Sequence, residues 1–117
     1  MNITFFREYC LSKPGASEDT PFDENTLCFK VGNKIFAIID IELFESVNLK
    51  CDPERAVELR EEYTGIVPGY HMNKKHWNTV SPFPISDVPP TLFWELLHQS
   101  YSTVRDSLPV KVRNELT

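Results

Sequence analysis

Between residues 68 and 80 the sequence Pro68-Gly69-Tyr70-His71-Met72-Asn73-Lys74-Lys75-His76-Trp77-Asn78-Thr79-Val80 crowds together side chains suited to contact with a ligand. Lys74 and Lys75 set two ammonium groups side by side, as contact with phosphate oxygens requires. Asn73 and Asn78 carry amides that both donate and accept, which suits base edges or sugar hydroxyls. Tyr70, His71, His76 and Trp77 offer flat rings for stacking. The same residue types also have a purely structural use. Trp77 and Val80 can plug a core, Asn73 and His71 can tie an irregular loop to its own backbone, and the lysines can simply face water.

Other chemistries find less support. The four glycines, Gly15, Gly32, Gly65 and Gly69, are isolated, so no glycine-rich loop is present to cradle a phosphate. The sequence has no Gly-x-Ser-x-Gly elbow, and no cysteine sits in an evident basic, exposed pocket, so covalent catalysis is unsupported. A non-enzymatic protein without cofactor is expected. His71 and His76 could approach one ion together with Cys51 or His98, but no Cys-x-x-Cys or His-Glu-x-x-His spacing supports a metal site. Glu18, Asp19, Asp23 and Glu24, and again Asp40, Glu42 and Glu45, are possible oxygen ligands whose commoner role is solubility.

At 117 residues the chain is expected to form one domain, and its 41% apolar and 25% charged composition is that of a globular protein. The formal charge of -5 argues against a strong duplex binder, because such affinity comes largely from counterions released by Lys and Arg. Any nucleic-acid contact must be a local patch, weak and salt-sensitive. No apolar run reaches the ~18 residues of a membrane span, and Met1 to Lys13 lacks the features of a secretory signal. A cytoplasmic monomer without membrane association is expected, with Cys10, Cys28 and Cys51 as reduced, partly buried thiols.

The elements that must position these groups are legible in outline. Asn2 can cap a helix carrying Ile3, Phe6, Tyr9 and Cys10, ended by Lys13-Pro14-Gly15. A polar link from Ala16 to Thr20 precedes a short edge strand around Pro21-Phe22-Asp23. Leu27 to Val31 and Lys34 to Ile39 read as a hairpin turning at Gly32-Asn33, its second strand apolar on both faces and therefore central. Ser46 to Cys51 alternates, with Asn48 and Lys50 opposite the inward Val47 and Leu49.

Asp52-Pro53-Glu54 starts a second helix that ends before Gly65. Pro68 to Lys75 is read as a loop leading into a strand from His76 to Val80, and Ser81 to Pro90 as an extended surface connection. Thr91 can cap a long helix with Phe93, Leu97, Tyr101, Val104 and Leu108 on its inner stripe. Pro109 opens a last helical turn with Val112 and Leu116 inward and Lys111 and Arg113 exposed. The order gives an α+β fold, an antiparallel sheet packed with helices in a two-layer sandwich.

The chain resembles the MmcQ/YjbR-like family. The likeness is carried by Phe6-Arg7-Glu8-Tyr9-Cys10-Leu11-Ser12-Lys13-Pro14-Gly15, Phe29-Lys30-Val31, Phe36-Ala37, Val47-Asn48-Leu49-Lys50-Cys51-Asp52-Pro53-Glu54, Pro68 to Val80, and Ser100-Tyr101. The resemblance implies a CyaY-like α+β sandwich and, through a double-wing motif, DNA as the nominal partner. It supplies no catalytic residue. The ligand face drawn from it and from the residue chemistry comprises Lys50, His71, Asn73, Lys74, Lys75, His76 and Asn78. Ser81 to Pro90 departs from the family pattern, in which a shorter turn with Asp-Gly stands. Another partner class is open: a protein or small ligand held by Tyr70, Trp77 and the connection from Pro82 to Pro90. The fold group further suggests an acidic, iron-collecting surface like that of frataxin-like proteins.

Overall fold

The computed structural model describes residues 1–69, 73–84 and 86–116. Helix α1 (Ile3–Leu11) is followed by β1 (Ala16–Asp19), β2 (Thr26–Val31), β3 (Lys34–Asp40), β4 (Val47–Lys50), α2 (Pro53–Glu62), β5 (Ile66–Pro68), β6 (Trp77–Val80), α3 (Pro90–Asp106) and α4 (Val110–Asn114). The strands form one antiparallel sheet in the order β1-β2-β3-β4-β6-β5, so the expected α+β sandwich with a central β3 is what the chain builds.

Local signals explain most boundaries. The Asn2 side chain accepts from the Phe5 amide at 2.8 Å and Asp52 accepts from Arg55 at 3.3 Å, capping α1 and α2. Gly32 and Asn33 take φ of 55° and 66°, the left-handed pair that a two-residue hairpin needs. Helix α3 starts at Pro90, one residue before the expected Thr91 cap, and no side chain caps it. Pro89 sets an extended entry and Pro90, first in the helix, removes one of the amides that a cap would otherwise have to satisfy.

Three expectations are corrected. The edge strand lies at Ala16–Asp19 rather than at Pro21-Phe22-Asp23, because Ala16 to Asp19 pairs with Val31 to Cys28 and leaves the proline in a turn. Strand β5 begins where only the end of a helix and then a loop were expected. Three residues are too short to show alternation. The Ser81 to Pro90 connection is only partly at the surface: Pro84, Asp87, Pro89 and Pro90 are exposed, whereas Pro82 and Val88 are buried, and the peptide between Phe83 and Pro84 is cis.

One face of the sheet carries all the core packing. Phe29, Phe36, Leu49 and Val80 meet Phe6 of α1, Leu59 of α2 and Phe93, Leu97 and Tyr101 of α3. Each such full burial stabilises the fold by about 1.5–3 kcal/mol. A bulge sets this face: Phe29 pairs with Ala37 but Lys30 with Ile35, so Phe36 is the extra residue on β3. Phe36 and Ala37 both turn inward as a result, and Ile35 and Ile38 stand on the opposite side. Ser100 repairs the broken ladder, its buried hydroxyl accepting from the Lys50 amide at 2.9 Å and donating to the Phe36 carbonyl at 2.5 Å.

The described cysteines are unpaired, with Cys10 and Cys28 buried and Cys51 half-buried. Burial pushes all three thiols up from their ordinary range, which favours their protonated form at neutral pH. No helix among the described residues is long and apolar enough to cross a membrane.

Candidate ligand groove on the open sheet face

Because the helices cover a single side, the other side of the sheet is left to its own side chains. Alternation decides which ones. Ile38, Asn48 and Thr79 lie directly opposite one another on β3, β4 and β6, and Trp77 follows two residues before Thr79 on the same face. The Thr79 hydroxyl donates to the Asn48 side-chain oxygen at 2.5 Å, and the Asn48 amide reaches the Ile38 carbonyl at 3.5 Å. These bonds lock the polar groups of the row sideways.

This face forms a half-open groove of about 780 Å³. Its floor and walls include Ile35, Ile38, Trp77, Leu43 and Phe22, and Asp40, Glu45 and Asn73 stand among its polar lining. Leu43 and Phe22 are 64% and 67% exposed, more than side chains of that kind usually leave to water. Among the described residues no lysine or arginine lines the groove, which leaves Asp40 and Glu45 as its charged groups. An apolar recess of this size with a few polar groups is the usual form of a small-ligand site.

The residues predicted as one ligand face do not form one. Asn78 is turned away: it is 2% exposed and points to the helix side. Its oxygen accepts from Arg60 Nε at 2.6 Å and its amide donates to the Ala56 carbonyl at 3.3 Å, so it ties β6 to α2. Val80 is in the core, whereas Trp77, for which both a ligand contact and a core plug were open, faces the groove, since residues three apart on a strand cannot share a side. Lys50 is half-buried on β4 and pairs across the ladder with Trp77. His76 is half-buried, and its carbonyl accepts from the Cys51 amide at 2.7 Å, lengthening the β4–β6 pairing.

Asn73, Lys74 and Lys75 are exposed on a turn closed by the Asn73 side chain, which accepts from the Lys75 amide at 2.9 Å. Lys74 reaches the Gly69 carbonyl at 3.4 Å. Lys75 lines a shallow depression along α2 together with Glu54, Glu58 and Arg60. Asn73 serves the sheet groove and Lys75 the helix side. Tyr70 and His71 lie outside the described residues.

Arg60 organises this turn. Besides Asn78 it donates to the Lys74 carbonyl, and to the Trp77 carbonyl at 3.4 Å, fixing the backbone that carries the indole. Gly69 matters equally, because its amide donates to the Trp77 carbonyl at 2.9 Å and a Cβ there would lie 2.8 Å from the Trp77 Cβ. The sequence signal for Ile38, Asn48 and Thr79 was present as alternation. Their common row was not, since β4 and β6 are separated by a helix and a strand. Among the described residues no group of three or more His, Cys, Asp or Glu gathers to hold a metal ion, so the iron-collecting alternative gains nothing from the geometry.

Comparison with known proteins is consistent with this architecture. The YjbR family model matches residues 11–103. The chain is 32% identical over 117 residues to the uncharacterized protein YjbR of Escherichia coli K12, covering 99% of this chain and 98% of that one. It is 37% identical over 89 residues to the uncharacterized protein YbdF of Escherichia coli O157:H7, covering 75% and 71% of the two chains. The crystal structure of the Deinococcus radiodurans protein DR2400, a DUF419 domain, superposes with a TM-score of 0.88 at 40% identity, covering 97% of this chain and 86% of that one. A crystal structure from Pseudomonas syringae gives 0.71 at 27% identity, covering 89% and 99%.

Proposed function

Since the chain belongs to the YjbR family, whose relatives named above are uncharacterized, we propose from its own geometry that it is a non-enzymatic binding module whose ligand surface is the open sheet face. The carrying observation is the groove itself: Trp77, Ile38 and Leu43 line one recess, with the hydrogen-bonded Asn48 and Thr79 among them. In Trp77 it has an aromatic group of the kind that dominates binding energy, held in place from behind by Arg60 and Gly69.

A neutral fluorescent reporter of apolar sites, Nile red, tests this reading. Saturable binding at one site per chain is expected, lost in Ile38→Lys and retained in Val57→Lys on the exposed side of α2. Absence of saturable binding, or equal loss in both variants, counts against the groove.

Contact with nucleic acid is the second reading, favoured by the exposure of Asn73, Lys74 and Lys75 on one turn with Lys50 on the neighbouring strand. It is the weaker of the two. Asp40 and Glu45 repel phosphates from the adjoining groove, and Glu54 and Glu58 line the same depression as Lys75. Any affinity from this turn is therefore low and falls steeply with salt.

A further inference from the structure

The charge along the groove is uneven. Asp40 ends β3, and Glu45 and Ser46 lead into β4, so both carboxylates lie at the end lined by Phe22, Thr26 and Leu43. At the other end Trp77 pairs with Lys50. The four steps along the strand from Ser46 to Lys50 separate these ends by roughly 13 Å. Between them the floor is Ile38, and the Asn48 and Thr79 side chains are hydrogen-bonded to each other.

Resting on the groove as the ligand surface, we infer that its occupant is a small elongated organic cation, an amine or guanidine on an apolar body. It lies along the strands with its charge at the Asp40–Glu45 end and its apolar end against Trp77. Three features carry this. The carboxylates complement a cation, and Lys50, the basic residue beside the groove, stands at the opposite end, across the ladder from Trp77. The apolar floor matches a hydrocarbon body of that length. A peptide is disfavoured because β3, β4 and β6 are each already paired on both sides, so they have no ladder hydrogen bonds to offer, and its own amides and carbonyls would face Ile35, Ile38 and Trp77 unsatisfied.

Displacement of bound Nile red by octylammonium, octanol and octanoate at low salt tests the inference. Octylammonium is expected to displace at a concentration at least tenfold below that of octanoate, with octanol between them. Glu45→Gln, an exposed position, should shrink the octylammonium-to-octanoate ratio to below threefold and leave octanol unchanged. Equal potency of octanol and octylammonium would leave the groove as a binding site but remove the cation. Tighter displacement by octanoate, an unaltered ratio in Glu45→Gln, or tighter displacement by a lysine-bearing apolar peptide would each overturn it. Failure of all three probes on a protein that binds Nile red would place the dye elsewhere, and the groove reading would fall with the inference.

Discussion

Trp77 and Asn78 are adjacent in the chain and face opposite sides of the sheet: the indole lines the open groove, whereas the amide is buried against Arg60 and the Ala56 carbonyl. One peptide unit thus divides binding from architecture. Trp77→Ala should reduce Nile red affinity at least tenfold with a small change in stability. Asn78→Ala should instead destabilise the fold by about 1–3 kcal/mol, because it removes the partner of a guanidinium hydrogen bond. Urea midpoints and dye titrations on both variants separate the two roles.

Ser100 holds the sheet where Phe36 interrupts it. Ser100→Ala leaves the Lys50 amide and the Phe36 carbonyl without this partner in a buried place, and a loss of about 1–3 kcal/mol is expected. Hydrogen exchange at the Lys50 amide should accelerate beyond that of its neighbours on β4. Unchanged exchange there would mean that the ladder closes by another route.

Asp87 fastens the connection after β6 to the start of β5, accepting from the Thr64 and Gly65 amides at 2.8 Å each. These bonds, led by that from Thr64, hold its carboxyl below the ordinary carboxylate range. With the folded value depressed, the contribution is present above the unfolded value and lost as pH falls through the folded one. The Asp87→Asn variant should therefore show a shallower loss of stability than the parent between neutral pH and the acid range. Parallel pH profiles by thermal unfolding would remove Asp87 from this role.

Gly69 is packed against Trp77, and Gly69→Ala should displace the indole without disturbing the distant hairpin at Gly32-Asn33. A several-fold weaker dye affinity with retained amide dispersion for β2 and β3 is expected. Unaltered affinity would show that the indole tolerates the added methyl.

For nucleic acid, Lys74→Ala combined with Lys75→Ala should abolish whatever low-salt binding to duplex or single-stranded DNA the chain has and leave Nile red binding intact. Retention of DNA binding in that variant would move the contact away from this turn.

Much of the architecture was legible because its signals are local. Asn2 and Asp52 mark helix starts, Gly32-Asn33 marks the hairpin, and the stripe from Phe93 to Leu108 marks the core side of α3. Ala16 to Asp19 escaped notice because its edge pairing is set by β2 rather than by its own polar residues. The site was legible only in part. Spacing singled out Trp77, but the inward turn of Asn78 depends on Arg60, 18 residues away. The groove floor depends on a bulge and on pairing between β4 and β6, which no local pattern encodes.

The most direct measurement is a map of amide and indole chemical shifts during titration with octylammonium. Saturating changes at Ile38, Asn48, Thr79 and the Trp77 indole, spreading to Glu45, are the expected result. Changes confined to the Phe5–Trp94 ring contact between α1 and α3, or none on β3, β4 and β6, would contradict the assignment of the open sheet face as the ligand surface.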